Sequence, residues 1–124
     1  MDLWNFLHGE KKVVSKFEGK DVESKIRFTD YNPKTSVFRA EGNDECGDFE
    51  VIGSLRDGTV GFYKFYKRFP VPSGSKSADL LGEGYKSFNY YGSYVEDLSG
   101  KYFSGLWKEG NAVIPDWGKW QMAL

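Results

Sequence analysis

Hydrophobic and polar positions alternate with period two along most of this chain, in runs rich in Val, Phe, Tyr and Trp that Gly and Asp turns interrupt. The pattern predicts strands over about Val13 to Phe17, Val22 to Asp30, Ser36 to Gly42, Asp48 to Leu55, Val60 to Arg68, Tyr85 to Tyr94, Lys101 to Lys108 and Trp117 to Leu124. In the second run Val22, Ser24, Ile26 and Phe28 share a face, and Glu23, Lys25, Arg27 and Thr29 share the other. Phe38, Ala40 and Gly42 oppose Phe49, Val51, Gly53 and Leu55 across a hairpin whose loop is Asn43 to Gly47. Asp57-Gly58 is the strongest short-range signal for a tight primed turn, because both central residues of that turn need positive φ.

At the start, Asp2 can cap a short N-terminal helix over Leu3 to His8 that Gly9 ends, so residues 1–12 read as helix and linker. Residues 69–84 carry Pro70 and Pro72 and read as one long loop, the natural functional one. Successive antiparallel strands with short turns and no crossover helix point to an all-β meander. Such a meander hides its edges by closing, so the expected architecture is one small barrel of six to eight strands spanning residues 1–124.

The series Phe38-x-Ala40-x-Gly42-Asn43-Asp44, Gly47-x-Phe49-x-Val51-x-Gly53, Val60-x-Phe62-x-Lys64-x-Tyr66, Tyr90-x-Gly92, Phe103-x-Gly105-x-Trp107 and Gly118-x-Trp120-x-Met122 resembles a barrel module of diverse eukaryotic proteins. The resemblance covers roughly residues 38–124 and implies a small lipocalin-like or avidin-like, calycin-type barrel. No activity comes with it. The 69–84 insertion and the Trp4 to Phe6 start depart from the pattern.

Composition narrows the class. With 124 residues the chain can bury about two-thirds of its extended surface, enough for one core. Its 17 Lys and Arg against 18 Asp and Glu give a net charge of -1, which argues against nucleic-acid binding through bulk charge. The single cysteine, Cys46, permits no intramolecular disulfide, and the start has no basic, apolar leader, so an intracellular, cytoplasmic setting is the default expectation. No apolar run is long enough to span a membrane.

Candidate chemistry is sparse. His8 has no partner at ligand spacing, and Cys46 sits among carboxylates that disfavour its thiolate. The acidic Asn43, Asp44, Glu45 and Asp48 group lacks calcium-loop spacing, and Gly82-Glu83-Gly84 lacks a dinucleotide fingerprint. No metal, cofactor or catalytic residue is therefore expected. Lys64 stands out, because alternation puts it on the face of Val60, Phe62 and Tyr66, and a buried Lys must pair or lose its charge. Glu50 or Asp48 are candidate partners if strand register allows.

If the barrel is hollow, Lys64, Tyr66, Tyr90, Trp107 and Trp120 would line a site for a small apolar ligand. If it is full, Phe38, Phe49, Phe62, Phe88, Tyr90, Phe103, Trp107 and Trp120 fill it. Val71, Leu80, Leu81, Val113 and Ile114 then either cap the barrel end or meet a protein partner. The leading reading is a non-enzymatic interaction or structural module, such as an accessory subunit of a larger eukaryotic assembly. The alternatives are a lipocalin-like carrier and, by fold analogy alone, a barrel cyclase or isomerase.

Overall fold

A computed structural model describes residue 4 and residues 7–17, 19–45, 47–66, 86–109 and 118–124. It is all-β: β1 (Glu10–Phe17), β2 (Lys20–Asn32), β3 (Val37–Asp44), β4 (Gly47–Arg56), β5 (Thr59–Tyr66), β6 (Lys86–Asp97), β7 (Gly100–Glu109) and β8 (Gly118–Ala123). Every strand pairs antiparallel with its neighbour in sequence, and β1 pairs with β8, so the sheet is a closed barrel.

Turn chemistry sets much of the register. Arg56 pairs with Thr59 across a two-residue turn in which Asp57 and Gly58 have φ of 53° and 77°, the backbone that the Asp-Gly signal predicts. Between β3 and β4 the reversal is tighter than the five-residue loop expected from the sequence. Asp44 pairs with Gly47, so both belong to strands. A bulge in β2 shifts the register between Phe28 and Asp30, and it brings both Phe28 and Tyr31 opposite inward residues of β3, Ala40 and Phe38.

No α-helix occurs among the described residues, and the expected helix over residues 3–8 falls largely outside them. What is described there is a turn in which the Leu7 N–H donates to the Trp4 carbonyl at 2.9 Å. Trp4 stacks on Tyr31 at 4.2 Å and meets Phe28 edge-on at 5.6 Å, while Leu7 is buried. The N-terminal segment thus packs on rings of β2 and β3. The outer face of β5 leaves Tyr63 exposed.

The core fills the barrel from wall to wall. Phe38, Phe49, Phe62, Tyr90, Phe103 and Trp120 are all buried, and Phe62 stacks on Tyr90 at 4.6 Å while meeting Trp120 edge-on at 5.4 Å. Gly92 makes room for the Trp120 indole, since a Cβ there would press on that ring, and its partner Gly105 lets β6 and β7 approach, since a Cβ there would overlap the Tyr91 carbonyl. The indole N–H then reaches the carbonyls of Tyr91 and Leu106 at 3.0 and 3.2 Å, so a large ring is buried with its polar atom satisfied.

Candidate functional site

The eight inward faces are not alike along the barrel axis. The turns β2–β3, β4–β5 and β6–β7 lie at the end where Trp4 and Leu7 pack. The β1–β2 and β3–β4 turns lie at the other end, together with the strand ends Tyr66, Lys86, Glu109 and Gly118. Toward that second end, three inward side chains from two strands converge on one carboxylate.

Asp44 ends β3 with its side chain fully buried, and its Oδ2 is the shared acceptor. Lys64 Nζ donates to it at 2.7 Å, Ser24 Oγ at 2.9 Å, and the Tyr66 hydroxyl also donates to it. Lys64 Nζ further donates to Ser24 Oγ at 3.1 Å. The residue Lys64 is only 5% exposed, and its ammonium sits over the Phe49 ring, 4.3 Å from the centroid, and beside the Tyr66 ring at 4.9 Å. Ring faces are negative, so they offset part of the desolvation that a buried ammonium suffers. One ion pair, two hydroxyls and two aromatic walls make this a hydrogen-bonded cluster inside an apolar barrel.

Strand parity explains the partners. Val51 faces Lys64 across β4–β5, and Glu50 faces Phe65, so Glu50 points to the outer surface and Asp48 is exposed with it. Neither expected partner can reach Lys64 inside the barrel. Asp44 can, because the alternation Phe38, Ala40, Gly42 continues inward for one more step before the chain turns. That continuation is the signal by which the sequence could have pointed to Asp44.

Tyr90 lies next to this cluster, with Lys64 Nζ 6.0 Å from its ring centroid. Burial pushes its hydroxyl up to about 12, the negative charge of Asp44 adds to the rise, and Ser15 offsets part of it. Ser15 is 5% exposed and opposes Trp120 across β1–β8. Its Oγ is buried beside the Tyr90 hydroxyl, which it helps to hold, and finds no partner in strict hydrogen-bond geometry.

The sequence-predicted ligand set therefore comes together on one stretch of the inner face. Tyr66 meets Phe88 edge-on at 5.8 Å, Phe88 meets Trp107 at 5.9 Å, and Tyr90 stacks against Trp107 at 6.2 Å and meets Trp120 at 5.8 Å. The two tryptophans differ. Trp120 is 1% exposed, whereas Trp107 is half-buried, with its Nε1 donating to the Lys16 carbonyl at 3.3 Å. The sequence, which treats both as core residues, does not separate them.

Val71, Leu80, Leu81, Val113, Ile114 and Cys46 lie outside the described residues. His8 is exposed. Among the described residues no three His, Cys, Asp or Glu side chains are grouped to hold a metal, and no helix is long and apolar enough to cross a membrane. A groove of about 460 Å³ runs over Gly42 and Phe49, edged by Lys25, Arg27, Glu41 and Asp48, and an Arg27–Glu41 ion pair bridges its rim. Comparison of the chain with protein-family models, curated proteins and solved structures finds no match.

Proposed function

We propose that this protein is a non-enzymatic binding module, a ring-filled barrel that acts as a rigid scaffold and meets other chains at the end carrying the 67–85 and 110–117 connections. The observation that supports this reading is the interlocked core. Phe38, Phe62, Tyr90 and Trp120 contact one another in a continuous chain from β3 to β8, so the middle of the barrel is occupied by its own side chains. A scaffold of that kind leaves recognition to its ends, where connecting segments vary without disturbing the core.

In this reading Val71, Leu80, Leu81, Val113 and Ile114 supply apolar contacts to the partner, as an accessory subunit of a larger assembly requires. The test compares Leu80→Ser with Leu81→Ser, and separately Val113→Ser with Ile114→Ser, for melting temperature and for proteins co-purified from the native host. Loss of the same partners from both double variants at unchanged melting temperature is the expected outcome. Lowered melting temperature with an unchanged set of partners would make these segments lids and overturn the reading.

A carrier of a small ligand, in the manner of lipocalin-like barrels, is the second reading. The observation favouring it is the convergence of Lys64, Tyr66, Tyr90 and Trp107 on one part of the inner wall.

A further inference from the structure

We propose that the outer wall of β5 to β8, with the neighbouring edge of β1, binds single-stranded nucleic acid, bases stacking on Tyr91 and Tyr63 and phosphates meeting Lys16, Lys119 and Lys108. The wall is the side of the barrel, so the proposal stands apart from partner binding at its end.

The first observation is where the exposed hydrophobic residues lie. Among the described residues five large ones are exposed, and three of them, Tyr63, Tyr91 and Leu106, sit on the adjacent strands β5, β6 and β7. Tyr91 is 51% exposed, faces Gly61 across β5–β6 and faces Leu106 across β6–β7. Tyr63 lies two residues beyond Gly61 on β5, which makes it the diagonal neighbour of Tyr91, roughly 7 to 8 Å away. Gly61 decides how the Tyr91 ring lies. A Cβ added there would stand 3.3 Å from two atoms of that ring, Cδ1 and Cε1, so the ring leans over a strand position with no side chain to prop it up. The ring is thus backed by β5 while about half of the residue stays open to solvent.

The second is the distribution of charge. The outer positions of β1 to β4 carry both signs, as in the Lys12–Glu23 and Arg27–Glu41 pairs. On β5 to β8 the described outward residues from Thr59 to Val95 and from Tyr102 to Ala123 include Lys108 and Lys119 and no carboxylate. Lys119 faces Leu106 on one side and stands directly opposite Lys16 on the other, across the β1–β8 seam. Both lysines are exposed, and like charges in directly opposed positions repel. Asp21 faces Lys16 from β2, which leaves Lys119 between a leucine and a second ammonium. A net charge of -1 therefore conceals a local cationic row, which bulk charge cannot reveal.

The two features occur in one place. Tyr91, Leu106, Lys119 and Lys16 form a continuous cross-strand row, with β6 and β8 about 10 Å apart. A ring that merely covered a bare glycine would need no lysines beside it. Protein interfaces favour tyrosine but deplete lysine, so they account for the rings alone. A neutral sugar chain would leave the opposed ammoniums uncompensated. Single strands use both features, ring faces for bases and cations for the backbone.

The experiment is fluorescence anisotropy of a labelled oligouridine of about twelve nucleotides, titrated with the full chain at several salt concentrations. Saturable binding at low salt is expected, with log K falling against log salt by a slope of about -1.4 to -2.1, as two or three phosphate contacts on a single strand give. Tyr91→Ala should weaken binding by about five- to 150-fold, the range for one stacked base. Lys119→Gln should reduce the slope by about 0.7, whereas Lys25→Gln, which removes the same charge from β2, should leave affinity within about twofold. Tyr63→Ser repeats the stacking test if Tyr91→Ala lowers the melting temperature by uncovering Gly61. Absence of saturable binding overturns the proposal, as does equal weakening by Lys119→Gln and Lys25→Gln. Binding to vesicles of phosphatidylcholine and phosphatidylserine, with none to the oligonucleotide, would make the wall a membrane-facing surface and overturn it too. None of these outcomes bears on the double serine variants that test the barrel end.

Discussion

The two ends of this barrel solve the same problem by opposite means. At one end an apolar plug, Trp4 and Leu7, covers the rings of Phe28, Tyr31 and Phe38. Its stabilisation is distributed, so many small contacts each contribute a little. At the other end the interior contains an ion pair and hydroxyls that depend on one another through a single oxygen, Asp44 Oδ2. Stabilisation there is all-or-none: the cluster is tolerable when complete and costly when any charged member is missing. The contrast separates a part of the molecule built for closure from one built with adjustable chemistry.

The sharpest way to break this contrast is to remove one charge. Lys64→Met should destabilise the protein by about 3 to 5 kcal/mol, since it takes away the ammonium that compensates the buried charge of Asp44. Adding Asp44→Leu should restore most of the loss. Urea unfolding of the single and double variants measures both, and a double variant no more stable than the single would show that the pair is not a closed unit.

A smaller effect comes from Tyr90. Its hydroxyl is pushed up to about 12 in the folded barrel against an ordinary value near 10, so the folded state holds the proton after the unfolded chain has released it. Stability is therefore unaffected below about pH 10 and falls as pH rises from 10 to 12, by about 2 to 3 kcal/mol for this group. Subtracting the pH profile of Tyr90→Phe from that of the wild type isolates the term. Coincident profiles would contradict the burial of the hydroxyl.

The smallest effect is expected at the plugged end. Trp4 is only partly buried, so Trp4→Ala should cost about 1 to 3 kcal/mol, below the range for a sealed aromatic, and the loss should add to that of Lys64→Met within about 0.5 kcal/mol. Strong non-additivity in the double variant would mean that the two ends are coupled through the ring stack.

The same contrast explains what could be read from sequence. Strand-period alternation is a local property, and it was enough to assign the inward residues from Phe38 through Met122 and to require a closed sheet. The plug was harder to foresee. The bulge at Thr29 breaks the alternation, so Tyr31 reads as part of a turn although it pairs with Phe38 and carries Trp4. The polar cluster was half legible. Lys64 is conspicuous because a charged residue on an apolar face violates the pattern. Asp44 is hidden because it sits among acidic residues that look like solvated turn, and only the length of the turn, a tertiary outcome, decides that its side chain points inward. Ser15 carried no signal at all, since an unsatisfied hydroxyl is a property of three-dimensional neighbours.

Closure has a consequence for the order of assembly. The seam between β1 and β8 has only four paired positions, Val13 to Lys16 against Met122 to Lys119, whereas every other strand pair is joined through a turn or connection between sequence neighbours. The partners across that seam are roughly a hundred residues apart, so their meeting carries the largest loop-closure entropy in the molecule. Seven strands can zip successively, each templated by the last, but the cylinder cannot shut until residues 119–122 exist and return to the start. Until then two raw sheet edges, one at each extremity of the growing ribbon, remain available to other chains, so the window for misassembly stays open until the seam forms.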